Sequence, residues 1–231
     1  LAEVQFTNRA SDFDKQQIVD CVVDAAAVSP CSDMAFFDTA SQDDLQRQLL
    51  VERHLISPAL AREGGPRGVL VDETETASVM VNEEDHLRLQ VILSGLQPSE
   101  AFEAARDMES HLARSLNFSA SPHWGFLTAC AKNTGTGLRA STLIHLPGLA
   151  LTKEMDGVVR GVAQLGFAVR GIYGEGTESS GNLYQISNQL TLGRSEQTLL
   201  DGLSRVVGQV VECEVTARET LAREARNQIE D

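Results

Sequence analysis

The sequence predicts an α+β fold in which helices cover an antiparallel sheet. Three observations carry this. Segments with apolar residues every three or four positions alternate with short strand-like segments. The strand-like segments are bounded by turn residues. One of them, His86 to Leu93, alternates, with Leu87, Leu89, Val91 and Leu93 on one side and His86, Arg88 and Gln90 on the other. That period suits a sheet with one wet face better than a parallel sheet buried on both.

In chain order, Ser11 opens a helix whose apolar positions are Ile18, Val19, Val22 and Val23. Ser41 precedes a second helix, with Asp43 and Asp44 suited to the positive end of its dipole. Residues 68–71 and 77–81 read as strands around an acidic turn, Glu73 to Thr76. The His86 strand follows, and extending it backward places Glu84 on the face of Arg88. Pro98-Ser99-Glu100 starts a helix to about Leu116, and residues 125–129 read as a strand delivering Cys130. A strand over 139–146 comes next, then a helix over 152–165 with Met155, Val158, Val159 and Val162 inward and Gly166 ending it. Residues 167–173 and 182–192 are strands on either side of a Gly/Ser-rich loop. Ser195-Glu196 starts a last helix whose apolar stripe runs through Leu199, Leu203, Val206, Val207, Val210 and Val211; from Glu212 onward charge density rises.

Bulk properties narrow the function. A chain of 231 residues at 42% hydrophobic and 23% charged is ordinary for a globular protein. The net charge of -14 repels phosphate backbones, so direct nucleic-acid binding is not expected, and cationic partners are favoured. No apolar run reaches the roughly 18 residues of a membrane span, and the start, Leu1-Ala2-Glu3-Val4, shows no leader pattern. Cys21, Cys31, Cys130 and Cys213 form no CxxC pair and no metal-ligand spacing. No bound metal site is expected, and the pattern suits a reducing, cytoplasmic setting.

Three segments concentrate the chemistry. One is Val81-Asn82-Glu83-Glu84-Asp85-His86-Leu87-Arg88, where three carboxylates precede an arginine. The second is Cys130-Ala131-Lys132-Asn133-Thr134-Gly135-Thr136-Gly137-Leu138-Arg139-Ala140-Ser141. The third is Arg170-Gly171-Ile172-Tyr173-Gly174-Glu175-Gly176-Thr177-Glu178. Adjacent carboxylates repel unless a cation answers them, and clustered arginines suit a polyanion. Together with Glu52-Arg53-His54-Leu55-Ile56-Ser57-Pro58 and the run Gly181 to Gly193, these segments closely resemble the ATP:guanido phosphotransferases, and within them the bacterial protein-arginine kinases.

The resemblance covers about residues 1–220 and implies one catalytic domain over 1–231, built on a large antiparallel sheet flanked by helices, as in the phosphagen kinase and glutamine synthetase-like fold. It implies transfer of the γ-phosphoryl group of ATP, with Mg2+, to the guanidinium of arginine side chains in proteins. Glu84 then binds the guanidinium and takes its proton, Glu175 is the second substrate carboxylate, and Cys130 is the reactive cysteine. Arg88, Arg139 and Arg170 hold phosphates. The backbones of Ala140, Ser141, Thr142 and Leu143 and of Gly171, Ile172, Tyr173 and Gly174 complete the nucleotide site. His54 approaches the adenine or ribose. Glu83 and Asp85 support the carboxylate loop.

Departures from the pattern leave two other readings beside this one. Proline and a hydroxyl residue usually follow the family's cysteine; here Ala131 and Lys132 do. The resemblance implies an arginine-bearing segment just before Leu1 and a C-terminal dimerisation domain, neither expected within these residues, which leaves homo-oligomerisation open for the full-length protein. A nucleotide- or arginine-binding regulatory module of weak turnover fits those departures. A kinase of free guanidino compounds is disfavoured by Tyr173, where such enzymes tend to carry arginine.

Overall fold

The computed structural model describes residues 1–62, 64–171 and 180–230, without side chains at 180 and 225–230. The chain divides into two compact units, Leu1–Gly137 and Leu138–Asp231.

The first unit begins with α1 (Asp12–Ala27). Ser11 caps it by accepting from the Asp14 amide, while the Asp14 carboxylate accepts from the Ser11 amide at 2.9 Å. β1 (Ala35–Asp38) then forms a sheet edge. It escapes sequence reading because Ala-Phe-Phe-Asp is too short to show a period. α2 (Asp44–Glu52) is capped by Asp43, two residues later than Ser41 suggested. His54 ends it in the left-handed region (φ 59°): its amide bonds to the Val51 carbonyl at 2.9 Å and the Leu55 amide to that of Leu50 at 2.9 Å. That is a Schellman closure with histidine where glycine is usual. The short α3 (Pro58–Arg62) follows.

β2 (Gly68–Val71), β3 (Ala77–Val81) and β4 (Leu87–Val91) complete a four-stranded antiparallel sheet in the order β1-β2-β3-β4. Strand alternation splits its side chains between two cores. Leu70, Val79 and Val81 pack with Ile18 and Val22 of α1 and with Leu112; Val69, Val71 and Met80 pack with Leu50, Leu55 and Leu60. Helices therefore cover the middle of this sheet on both faces, not one, and that is why β2 is buried throughout. Leu112 closes α4 (Pro98–Leu112), which stops four residues before Leu116. A two-residue hairpin, β5 (Ala120–Ser121) and β6 (Gly125–Phe126), replaces the expected strand over 125–129.

In the second unit β7 (Ser141–His145) leads through α5 (Pro147–Leu151) and α6 (Met155–Gln164) to β8 (Phe167–Gly171) and β9 (Leu183–Asn188). The sheet order is β7-β9-β8, again antiparallel. α7 (Glu196–Glu230) lies so close to β8 that a Cβ on Gly202 would come within 2.9 Å of the Phe167 ring. Leu199, Leu200 and Leu203 are buried there, and the charged stretch beyond Glu212 continues as helix. Glu214 is an exception on that stretch: its carboxylate accepts from the amides of Gly148 and Leu149 at 2.8 and 2.9 Å and pairs with Arg218 at 2.6 Å. It thus answers the open amides at the start of α5. Desolvation pushes its carboxyl up, but these donors outweigh that and hold it below its usual range. No described helix is long and apolar enough to cross a membrane.

Candidate active site

The carboxylate segment is a loop, residues 82–86, between β3 and β4. Asn82 starts it in the left-handed region (φ 58°); its amide closes on the His86 carbonyl at 2.9 Å, and its buried side chain donates to the carbonyls of Lys15 and Pro66 at 2.9 and 3.0 Å. His86 is not on the exposed strand face. It is buried, with Nε2 2.8 Å from the Gln5 carbonyl, and burial lowers its pKa. Glu84 likewise stands outside β4, on the loop and exposed. Thr7 donates to its carbonyl.

The three carboxylates divide the work. Glu83 is folded inward: it accepts from the Ser57 hydroxyl at 2.7 Å and from the Glu84 amide at 2.7 Å, and lies 3.7 Å from Arg88. Asp85 accepts from the Ala129 amide at 2.5 Å. The Asn133 side chain donates to Asp85 at 2.8 Å and to Glu84 Oε2 at 3.0 Å. An amide nitrogen has two N–H groups, and each carboxylate takes one. No described residue hydrogen-bonds to Glu84 Oε1.

Cys130 is carried by a loop, not by a strand. Its neck is the pairing of Phe126 with Gly135, through bonds of 2.8 and 3.2 Å. Gly125 has to be glycine: φ is +71°, and a Cβ would come within 2.3 Å of the Gly135 carbonyl oxygen. Inside the loop the Cys130 carbonyl accepts from the Asn133 amide at 3.0 Å and from the Thr128 hydroxyl at 2.6 Å, and Thr128 also meets Thr134 at 2.9 Å. Asn133 therefore binds both the Cys130 backbone and the Glu84 carboxylate. Cys130 is half-buried and Glu84 is exposed.

Arg88 is exposed on β4 beside Gln90, whose amide donates to the His54 carbonyl at 2.6 Å. Arg88 and His54 thus share one side of the first unit. In the second unit, Gln185 is the hub. Arg139 donates to its Oε1 at 3.5 Å, its own amide donates to Ser141 at 3.0 Å, and Arg170 is its register partner across β8 and β9. Strand alternation puts Ser141 and Leu143 on that exposed face and Thr142 on the other. Asn188 fixes the start of β7: its carbonyl oxygen accepts from the Ala140 amide at 2.8 Å, and its nitrogen donates to Leu138 and Leu190 at 3.0 Å.

Comparison with known proteins matches residues 17–217 to the ATP:guanido phosphotransferase C-terminal catalytic domain. The chain belongs to the ATP:guanido phosphotransferase family. A protein-arginine kinase of Halothermothrix orenii is 43% identical over all of this chain and 66% of its own length. Another, of Moorella thermoacetica, is 49% identical over 81% of this chain and 53% of its own. The chain thus spans about half to two thirds of these relatives. Among solved structures, a duplicated taurocyamine kinase from Schistosoma mansoni with bound transition-state-analogue components superposes with TM-score 0.83 at 24% identity, over 94% of this chain and 31% of that one. A lombricine kinase superposes with TM-score 0.81 at 21% identity, over 95% and 64%. These two establish the α+β fold.

Within this phosphotransferase domain the structure joins Glu84 to Cys130, Arg88 to His54, and Arg139 to Arg170, Ala140, Ser141 and Leu143. Gly171 ends β8 and is buried. Ile172, Tyr173, Gly174 and Glu175 lie outside the described residues. Sequence reasoning missed Asn133, Gln185 and Ser57 as functional neighbours. Their only signal was position, inside or beside the segments that carry the resemblance.

Proposed function

We propose that this domain transfers the γ-phosphoryl group of Mg–ATP to the guanidinium of arginine side chains in proteins. The observation that carries the reading is the Glu84–Asn133–Cys130 arrangement, supported by 43% identity to a protein-arginine kinase along the whole chain. Arginine is a poor nucleophile because its lone pair is delocalised and it stays protonated throughout the physiological range. A carboxylate held at a fixed angle orients one guanidinium nitrogen and accepts its proton as transfer proceeds. Asn133 supplies that fixed angle for Glu84, and Cys130 is carried on the same loop beside it.

In the step itself the guanidinium nitrogen forms a bond to the γ-phosphorus, the bond from that phosphorus to the β,γ-bridging oxygen breaks, and ADP leaves. Glu84 receives the nitrogen's proton, with Glu175 as second carboxylate. Arg88, Arg139 and Arg170 neutralise phosphate charge, which is most of what phosphoryl transfer needs from protein. Mg2+ arrives with ATP as part of the substrate. Among the described residues no cluster of three or more His, Cys, Asp or Glu is grouped to hold it. The acidic surface suits cationic protein segments, and we infer a cytoplasmic setting from the unpaired cysteines. Incubation with ATP and a protein substrate, followed by mass spectrometry for acid-labile phosphoarginine, tests the reading. Absence of phosphoarginine under saturating ATP rejects it.

A further inference from the structure

We propose that Trp124, at the tip of the β5–β6 turn, is a docking platform for the stretch of substrate polypeptide flanking the target arginine. The inference deepens the phosphotransferase reading and rests on it. Trp124 is 51% exposed, so it forgoes much of the burial energy that a large aromatic side chain otherwise supplies. Its tip is nevertheless built and held. The Ser121 hydroxyl accepts from the amides of His123 and Trp124 at 3.2 and 3.4 Å, and the His123 ring meets the indole edge-to-face, with centroids 4.6 Å apart at 86°.

Placement ties this tip to the chemistry. Trp124 is two residues before Phe126, and Phe126 and Gly135 form the neck of the loop that carries Cys130 and Asn133. Leu127, on the loop side of the neck, is also 37% exposed. An indole face attracts cations and stacks with guanidinium or with apolar stems. The net charge of -14 and the exposed Glu84 carboxylate favour a cationic segment as the occupant. A free amino acid has a single guanidinium to place. A polypeptide offers one side chain to Glu84 and its neighbours to Trp124. The platform therefore selects for protein substrates over small guanidines.

Trp124 is the one tryptophan of the chain, so its fluorescence reports the platform without labelling. The experiment titrates wild type with an arginine-containing peptide, with its citrulline counterpart and with arginine amide, following acrylamide quenching of the indole. The arginine peptide should shield Trp124, and arginine amide should not. Trp124→Ala should raise KM for a protein substrate about 5- to 10-fold, as loss of one central aromatic contact does, with ATP affinity unchanged. Trp124→Phe should restore most of it. Peptide binding by calorimetry without shielding, or an unchanged KM in Trp124→Ala, overturns the proposal. Shielding that grows with enzyme concentration in the absence of peptide also overturns it, because a second copy then covers the indole. Shielding by peptide in an enzyme that makes no phosphoarginine retains the docking surface and rejects the reaction.

Discussion

The carboxylate side of the first unit and the arginine face of the second hold their residues by different means. Glu84, Asp85 and Cys130 sit on loops, and their geometry depends on side-chain bonds such as those of Asn133 and on the neck at Phe126 and Gly135. Arg170 is placed beside Gln185 by strand register on a three-stranded sheet, and Arg139, just before β7, reaches the same Gln185 through its side chain. A loop can aim a carboxylate and a thiol at one guanidinium but depends on every tie. A sheet spaces positive charge reliably and tolerates the loss of one contact. The two regions should therefore fail differently when they are altered.

The largest expected effect is on the loop side. Glu84→Gln keeps the shape and removes the proposed base, and should lower kcat by about 10²–10⁴-fold, measured as phosphoarginine formed at saturating ATP. On the sheet side, Arg170→Ala should weaken ATP binding by about 1.5–3 kcal/mol, the scale of a charge-assisted hydrogen bond, as read by calorimetry. Higher salt should narrow that gap.

Glu214 sharpens the comparison, because it stabilises the second unit without touching either site. Glu214→Ala leaves the Gly148 and Leu149 amides buried and unanswered, which should cost about 1–3 kcal/mol in denaturant unfolding. Its folded pKa lies below the ordinary 4.5. The stabilisation is therefore complete above that pH and is lost as pH falls through the folded value, and acid unfolding of Glu214→Gln should lack this component. The smallest effect belongs to Gln185→Ala. It removes the bonds to Arg139 and Ser141 while leaving the register intact, and should change ATP affinity by about 0.5–1.5 kcal/mol.

The pattern of what was legible follows the same division. Strands β2 and β3, the Ser11 cap of α1, the left-handed Gly166 after α6, and the apolar stripe of α7 apart from the exposed Val211 have periods or end signals that a single sequence displays. By contrast, α6 starts at Met155 because Thr152 closes α5. The face shared by Ser141 and Leu143 follows from strand alternation. The loop placements do not. His86 looked like a strand residue on a polar face, yet it is buried against the Gln5 carbonyl, far away in sequence. Glu84 was expected on an extended β4, but the left-handed Asn82 ends β3 and turns the chain before β4 begins. Cys130 lost its strand to a hairpin of two-residue arms. A long-range side-chain-to-backbone bond fixes His86 and a backbone pairing of Phe126 with Gly135 closes the Cys130 loop, and no local pattern encodes either. The motifs named Glu84 and Cys130 through resemblance. Asn133, which connects them, became visible only in three dimensions.

The most direct test of a division between a guanidinium side and a phosphate side is ATP calorimetry on Glu84→Gln, paired with its transfer rate at saturating ATP. ATP should bind to the variant as it does to wild type, while phosphoarginine formation is nearly abolished. Weakened ATP binding with an unchanged transfer rate at saturation would place Glu84 on the phosphate side and contradict the account.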